Sequence, residues 1–166
     1  MDVTTTTRPP RHAHLADLPA LAERDMLTLY AAHLDVPPLA PKAVRVEGGQ
    51  CLQIDGVSLD EDLFVIPISH QGMMPDDANA HLARDVFSLS LVTSSRPGAR
   101  AVLLFASSAA LESARGMIGG LGRDSGITLD LVDLGQEWTE RLVEAHRPAG
   151  RHRAVTEEAQ TRRRPV

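Results

Sequence analysis

A chain of 166 residues with 43% apolar and only 3% aromatic content can build one domain with a real core and polar ends, but lacks the aromatics for stacking single-stranded nucleic acid. Its one cysteine, Cys51, excludes an internal disulfide and a cysteine-rich zinc site, and no apolar run approaches the roughly 20 residues of a membrane span. The net charge of −5 is uneven: residues 147–166 carry six Arg against two Glu, which leaves the rest of the chain at −9 and sets the tail apart electrostatically.

In chain order, residues 1–14 are rich in Thr, Arg and Pro and read as a disordered leader, without the apolar core of a secretory signal. Leu18, Leu21, Ala22, Met26, Leu29 and Tyr30 recur at three- and four-residue spacing, which predicts a helix from Leu15 to about Leu34, capped by Asp17 before Pro19. Glu23 and Asp25 read as its solvated surface, and Pro37, Pro38 and Pro41 end it. A strand at Val44–Val46 and a second through Asp55 flank Gly48-Gly49, a hairpin signature. Alternation on the second strand puts Gln53 and Asp55 on one face and Ile54 on the other. The acidic turn Asp60–Asp62 cannot be buried unpaired, so it lies in solvent or holds a cation.

Leu63–Ser69 is an almost wholly apolar strand. Asp76 or Asp77 then caps a helix to about Thr93 that turns Ala78, Leu82, Val86 and Leu89 inward. Ala101–Ala106 is a buried strand, Ser107–Leu121 a helix decaying into Gly119, Gly120 and Gly122, Ile127–Leu134 a strand and Glu137–His146 a closing helix. Trp138, Tyr30 and the three Phe read as core, and Cys51 as a buried, inert thiol that suits a reducing cytoplasm. The hairpin followed by crossover helices predicts an α/β sandwich around a mixed sheet of about five strands, formed by residues 15–146, with residues 147–166 as a basic, disordered tail.

This order, with Asp55 on the second strand, resembles the PD-(D/E)xK, restriction-endonuclease-like fold. Residues 15–135 are similar to a family of small actinobacterial proteins of that fold, through Gln53–Val65 (QIDGVSLDEDLFV), His81–Leu89 (HLARDVFSL), Arg96–Ala106 (RPGARAVLLFA) and the strand ITLDLVDL. The resemblance implies phosphodiester hydrolysis by an Asp and a second acid around a hard cation, Mg or Mn, with a lysine two residues after that acid to orient water. Asp55 takes the first acid's place. The second acid belongs near position 66, where the sequence reads Ile66-Pro67-Ile68, and relatives often carry a further Lys at the position of Ser88. Lys42, the only lysine, precedes the hairpin.

The expected function is therefore a non-catalytic protein of the nuclease fold, a cytoplasmic binding or regulatory module without a cofactor. A second expectation is a divergent Mg- or Mn-dependent nuclease. Relocated acids, from Asp60, Glu61, Asp62 or Asp85, would serve it, with Asp55, Gln71 and Asp85 catalytic and Asp55, His70, His81 and Asp85 as metal ligands. A third is a structural subunit, homodimeric through a sheet face or the first helix. The Arg-rich tail is a candidate contact for nucleic acid or an acidic protein partner.

Overall fold

The computed structural model describes residues 8–10, 13–118 and 126–146. The leader's residues 1–7 and 11–12, the glycines Gly119, Gly120 and Gly122, and the basic tail lie outside them.

A 3-10 turn at Leu15–Asp17 leads into helix α1, Leu18–His33. Pro19 stands in its first turn, where the missing N–H has no intrahelical partner to lose. Leu18, Ala22, Met26, Leu27 and Tyr30 form its buried stripe. Asp17 holds the N-cap position but makes no side-chain capping bond, contrary to the expected cap.

Strand β1, Ala40–Arg45, starts earlier than the sequence suggests and includes Pro41. Proline is tolerated there because β1 is an edge strand. Strands β2 (Cys51–Val57) and β3 (Leu63–Ile68) follow. Helix α2, Asp76–Ser95, has Pro75 at its N-cap, with no side-chain cap, in place of an Asp. Strand β4 (Arg100–Phe105), helix α3 (Ser108–Ile118), strand β5 (Ile127–Leu131) and helix α4 (Gln136–Ala145) complete the order. Ser107 caps α3: its Oγ accepts from the Ala110 N–H at 3.4 Å.

The five strands lie in sequence order, with β2 antiparallel to both neighbours and β3, β4 and β5 mutually parallel. The apolar runs of β3 and β4 feed two cores, one per sheet face. Phe64, Ile66, Leu103 and Phe105 pack with Leu82 and Leu89 of α2 and Ala110 and Ala114 of α3. Leu63, Val65, Val102 and Leu104 face Met26 and Tyr30 of α1 and Trp138 and Leu142 of α4. Strands buried on both faces lose their alternation, which is why they read as continuous apolar segments. Helices thus cover both faces over β3 and β4, and the exposed sheet surface is at the hairpin, where Cys51, Gln53 and Asp55 are exposed. Two core assignments change: Cys51 is exposed at the start of β2, and Phe87 is 64% exposed on α2 while Phe64 and Phe105 are fully buried.

Two features of β2 position the site. Its ladder with β3 stops after Val57–Phe64 and Gly56–Val65, so the sheet forks just beyond Gly56. Against β1, Ala40 pairs with Val57 but Lys42 with Ile54, so one extra β2 residue is accommodated in this interval, a β-bulge that re-aims side chains. Gly56 allows a close approach here: a Cβ would stand 2.5 Å from Leu27 Cδ2, so that side chain would have to shift. The absence of a Cβ lets α1 press against the sheet beside the fork.

The β2–β3 turn is closed by the protein's own cations. Glu61, in the left-handed region at φ 54°, pairs with Lys42 at 2.6 Å and Arg96 at 2.8 Å, while Arg96 also donates to the Arg45 carbonyl at 2.9 Å and lies over the Phe64 ring. Within the acidic turn, Glu61 is thus paired with two cationic side chains, while Asp60 and Asp62 are exposed.

Candidate functional site: an acidic groove at the fork of the sheet

Where β2 and β3 part, three carboxyl groups converge from three elements. Glu23 is supplied by α1, one helical turn after Pro19 and on the flank of the buried stripe. Asp55 lies beside the bulge in β2. Asp85 is supplied by α2, one turn after His81 and beside the buried Leu82 and Val86.

Ser69, at the end of β3 and only 3% exposed, donates its hydroxyl to Glu23 Oε1 at 3.0 Å. Burial raises the Glu23 carboxyl to about 7, and the negative charges of Asp55 and Asp85 add to the rise against the opposing Ser69 hydrogen bonds. Asp85 is likewise raised by burial and by Asp55, with Arg84 and His81 pulling it back. Asp55 is an exposed residue, and the partial desolvation that remains raises it against the pull of Arg84. Three acids that each resist ionisation, close enough to sense one another, make a site short of positive charge. Arg84 is the nearby cation, yet it stands 4.0 Å from Asp85 and 75% exposed, where an ion pair is weak.

A cavity of about 300 Å³ opens beside these acids, with Glu23, Pro67, Ser69, His81, Asp85 and His146 among its lining residues. It lies at the carboxyl end of β3, where open α/β sheets place their ligand crevices.

The structure brings together part of the expected site. Asp85 and His81 share the cavity wall with His70, and Asp55 is in electrostatic reach of Asp85 and Glu23. His70 Nε2 lies 3.1 Å from the Met73 carbonyl oxygen, and its ring meets His146 edge-on at 4.8 Å. Gln71 donates its side-chain amide to the Ser69 carbonyl at 3.2 Å. Asp62 accepts from the Ser58 hydroxyl at 2.5 Å, and Glu61 is committed to Lys42 and Arg96 at the other end of β3. Ile66 is buried in the core under α2.

Glu23 lines the cavity, whereas sequence reasoning placed it in solvent. The signal was its spacing, four residues before the buried Leu27 and four after Pro19, which puts it on the rim of the helix's core stripe.

Among the described residues, no group of three or more His, Cys, Asp or Glu side chains could hold a metal ion, so Asp55, His70, His81 and Asp85 are not gathered as one ligand set. Nor does a lysine reach the groove, because Lys42 is bound to Glu61.

Fold and site define an α/β protein with a mixed five-stranded sheet and an acidic groove at its fork. No protein-family model, curated protein or solved structure matches the chain. Among the described residues, no helix is long and apolar enough to cross a membrane.

Proposed function

We propose that this chain is a non-catalytic protein of the restriction-endonuclease-like lineage, a cytoplasmic binding or regulatory module whose groove receives a positively charged group of a partner. The element order and the ordered mixed sheet support the lineage. The observation that carries the function is the cavity beside Glu23 and Asp85: burial and the charges of Asp55 and Asp85 raise the Glu23 carboxyl to about 7 against its Ser69 hydrogen bonds, and the cation beside Asp85 is the exposed Arg84. An ammonium or guanidinium entering the cavity would relieve that repulsion and gain charge-assisted hydrogen bonds. A phosphate would add to the repulsion, which argues against nucleic acid as the groove's occupant.

Hydrolysis of a phosphodiester by this arrangement lacks its parts. The second strand of the family's motif offers buried Ile66, and the only lysine is tied to Glu61. The nuclease alternative rests on the mutual reach of Glu23, Asp55 and Asp85 alone.

The test is a titration of the ¹⁵N-labelled chain with spermine and with arginine amide, followed by NMR. Saturable shifts at Glu23, Ser69 and Asp85, lost in Glu23→Gln/Asp85→Asn, are expected, with no cleavage of DNA or RNA in magnesium or manganese. Absence of groove shifts, or cleavage that depends on Asp55, contradicts the proposal.

A further inference from the structure

Two kinds of side chain line the cavity at the end of β3. Glu23 of α1 and Asp85 of α2 bring carboxyl groups, and the Ser69 hydroxyl donates to Glu23 Oε1 at 3.0 Å. Most of the rest is apolar, with Pro19, Pro67, Ile68, Met74 and Leu82 among it. Ile68 and Met74 pack against the core under α2 yet, like Pro19, are only partly covered. Apolar surface therefore lies open beside the two acids.

We infer that the cavity takes an amphiphilic monoamine, whose ammonium meets Glu23 and Asp85 and whose hydrocarbon body covers Pro19, Ile68 and Met74. This inference rests on the cation-binding function proposed above and names the class of molecule that brings the cation.

The charge of the ligand follows from the acids. Arg84 stands 4.0 Å from Asp85 at the solvent side, 75% exposed, and leaves the carboxyls open to a better-placed cation. An anion is disfavoured twice: the carboxylates repel it, and Pro19 and Pro67 have no N–H to offer it. An ammonium suits the site better than a guanidinium. Its three N–H donors point in separate directions, as acceptors on separate helices require, whereas a planar fork laid on Glu23 would compete with the Ser69 bond.

The body of the ligand follows from the rest of the lining. Each methylene that leaves water for this surface should tighten binding about threefold. Met74 is unbranched and can adapt to the chain it covers. A second charge on the same chain would be set against apolar side chains without a partner, which disfavours a polyamine. The size is limited too: the cavity of about 300 Å³ holds on the order of ten non-hydrogen atoms, taking the roughly 30 Å³ per molecule of liquid water as the measure.

The experiment titrates the ¹⁵N-labelled native chain with ethylamine, butylamine and hexylamine at neutral pH, beside hexanol, 1,6-diaminohexane and spermine. Saturable shifts are expected at Glu23, Ser69, Met74 and Asp85. Affinity should rise on the order of 80-fold from ethylamine to hexylamine, four methylenes at about threefold each. The diamine, of the same length, should bind on the order of tenfold more weakly than hexylamine, and hexanol should leave the signals unmoved where hexylamine saturates. Met74→Gln, close to Met in size, should reduce the ratio of hexylamine to ethylamine affinity severalfold.

An affinity that stays level along the alkyl series overturns the inference, as does a diamine that binds as tightly as hexylamine. Hexylamine shifts confined to residues outside the cavity overturn it as well. These outcomes need no variant, so a misfolded substitution does not shield the inference. Saturable groove shifts with ethylamine and spermine but no gain with chain length reject the amphiphilic ligand and leave cation binding standing. Absence of groove shifts with every amine, or hexanol binding as tightly as hexylamine, rejects both together.

Discussion

The Ser69 hydroxyl donates to Glu23 Oε1 at 3.0 Å, joining the end of β3 to α1 across the mouth of the groove. This bond lowers the Glu23 pKa, yet burial outweighs it and the group ends near 7. A glutamate at that value is a mixture of charged and neutral forms under physiological conditions, and the entry of a cation would draw it to the charged form.

The stability of the protein should follow that group. Its pKa is 4.5 unfolded and about 7 folded, so the folded state binds more protons within this window and loses stability as pH rises through it. Asp55 and Asp85, raised in the same direction, add to the slope from lower pH. Glu23→Gln keeps an oxygen for Ser69 and removes the ionisation. Urea unfolding at pH 8 should find the variant more stable by on the order of 2 kcal/mol, with near equality at pH 5. Parallel pH profiles for the two proteins would refute the assignment.

Gly56→Ala should disturb the fork by a different route. The new methyl would meet Leu27 Cδ2 at 2.5 Å and the Val65 carbonyl oxygen at 3.3 Å. Leu27 can yield only by repacking a buried contact under α1, so a loss of about 1–3 kcal/mol is expected. Leu27→Ala vacates the space, and the double variant should be more stable than the sum of the single losses predicts. Strict additivity in chemical denaturation would mean that this contact does not set the helix position.

Glu61 tests the closure of the β2–β3 turn. Glu61→Ala removes the partner of both Lys42 and Arg96 and leaves an alanine at φ 54°. Glu61→Gly removes the same pairs but accepts that backbone. Thermal unfolding should show both destabilised, with glycine the milder by about 0.5–1 kcal/mol. Glu61 is held below the usual carboxylate range by Lys42 first and Arg96 second. The pairs' contribution is therefore present above pH 4.5 and fades as pH falls through the lower folded value. Equal stability of the native and alanine chains at neutral pH would show that the pairs contribute nothing.

Most of the fold is legible in the sequence because its signals are local. The apolar runs of β3 and β4, the Gly48-Gly49 turn and the periodicity of α1 and α2 each identify an element without knowledge of its neighbours. The ends of elements are less legible. Asp17 and Asp76 look like caps, yet Asp17 makes no side-chain bond and Pro75 takes the cap position of α2. Pro41 looks like a terminator but lies in an edge strand, whose outer N–H positions need no partner.

The site is legible only in part. Asp55 and the His81–Asp85 pair can be found from strand alternation and helical spacing. Glu23 cannot be assigned so easily, since its place beside the groove depends on a fork at Gly56, 33 residues further along the chain, and on the close approach of α1 that this glycine allows. The misplaced Cys51 and Phe87 follow the same logic: an apolar side chain in a strand or helix reads as core, yet both are exposed, and which face a second layer covers is not written locally.

The most direct test of the central claim is calorimetric titration of the native chain with magnesium and with manganese, beside Asp55→Ala. A dismantled nuclease centre predicts no saturable heat for either ion in either protein. Saturable binding by the native chain that disappears in Asp55→Ala would contradict it and establish a working carboxylate metal site.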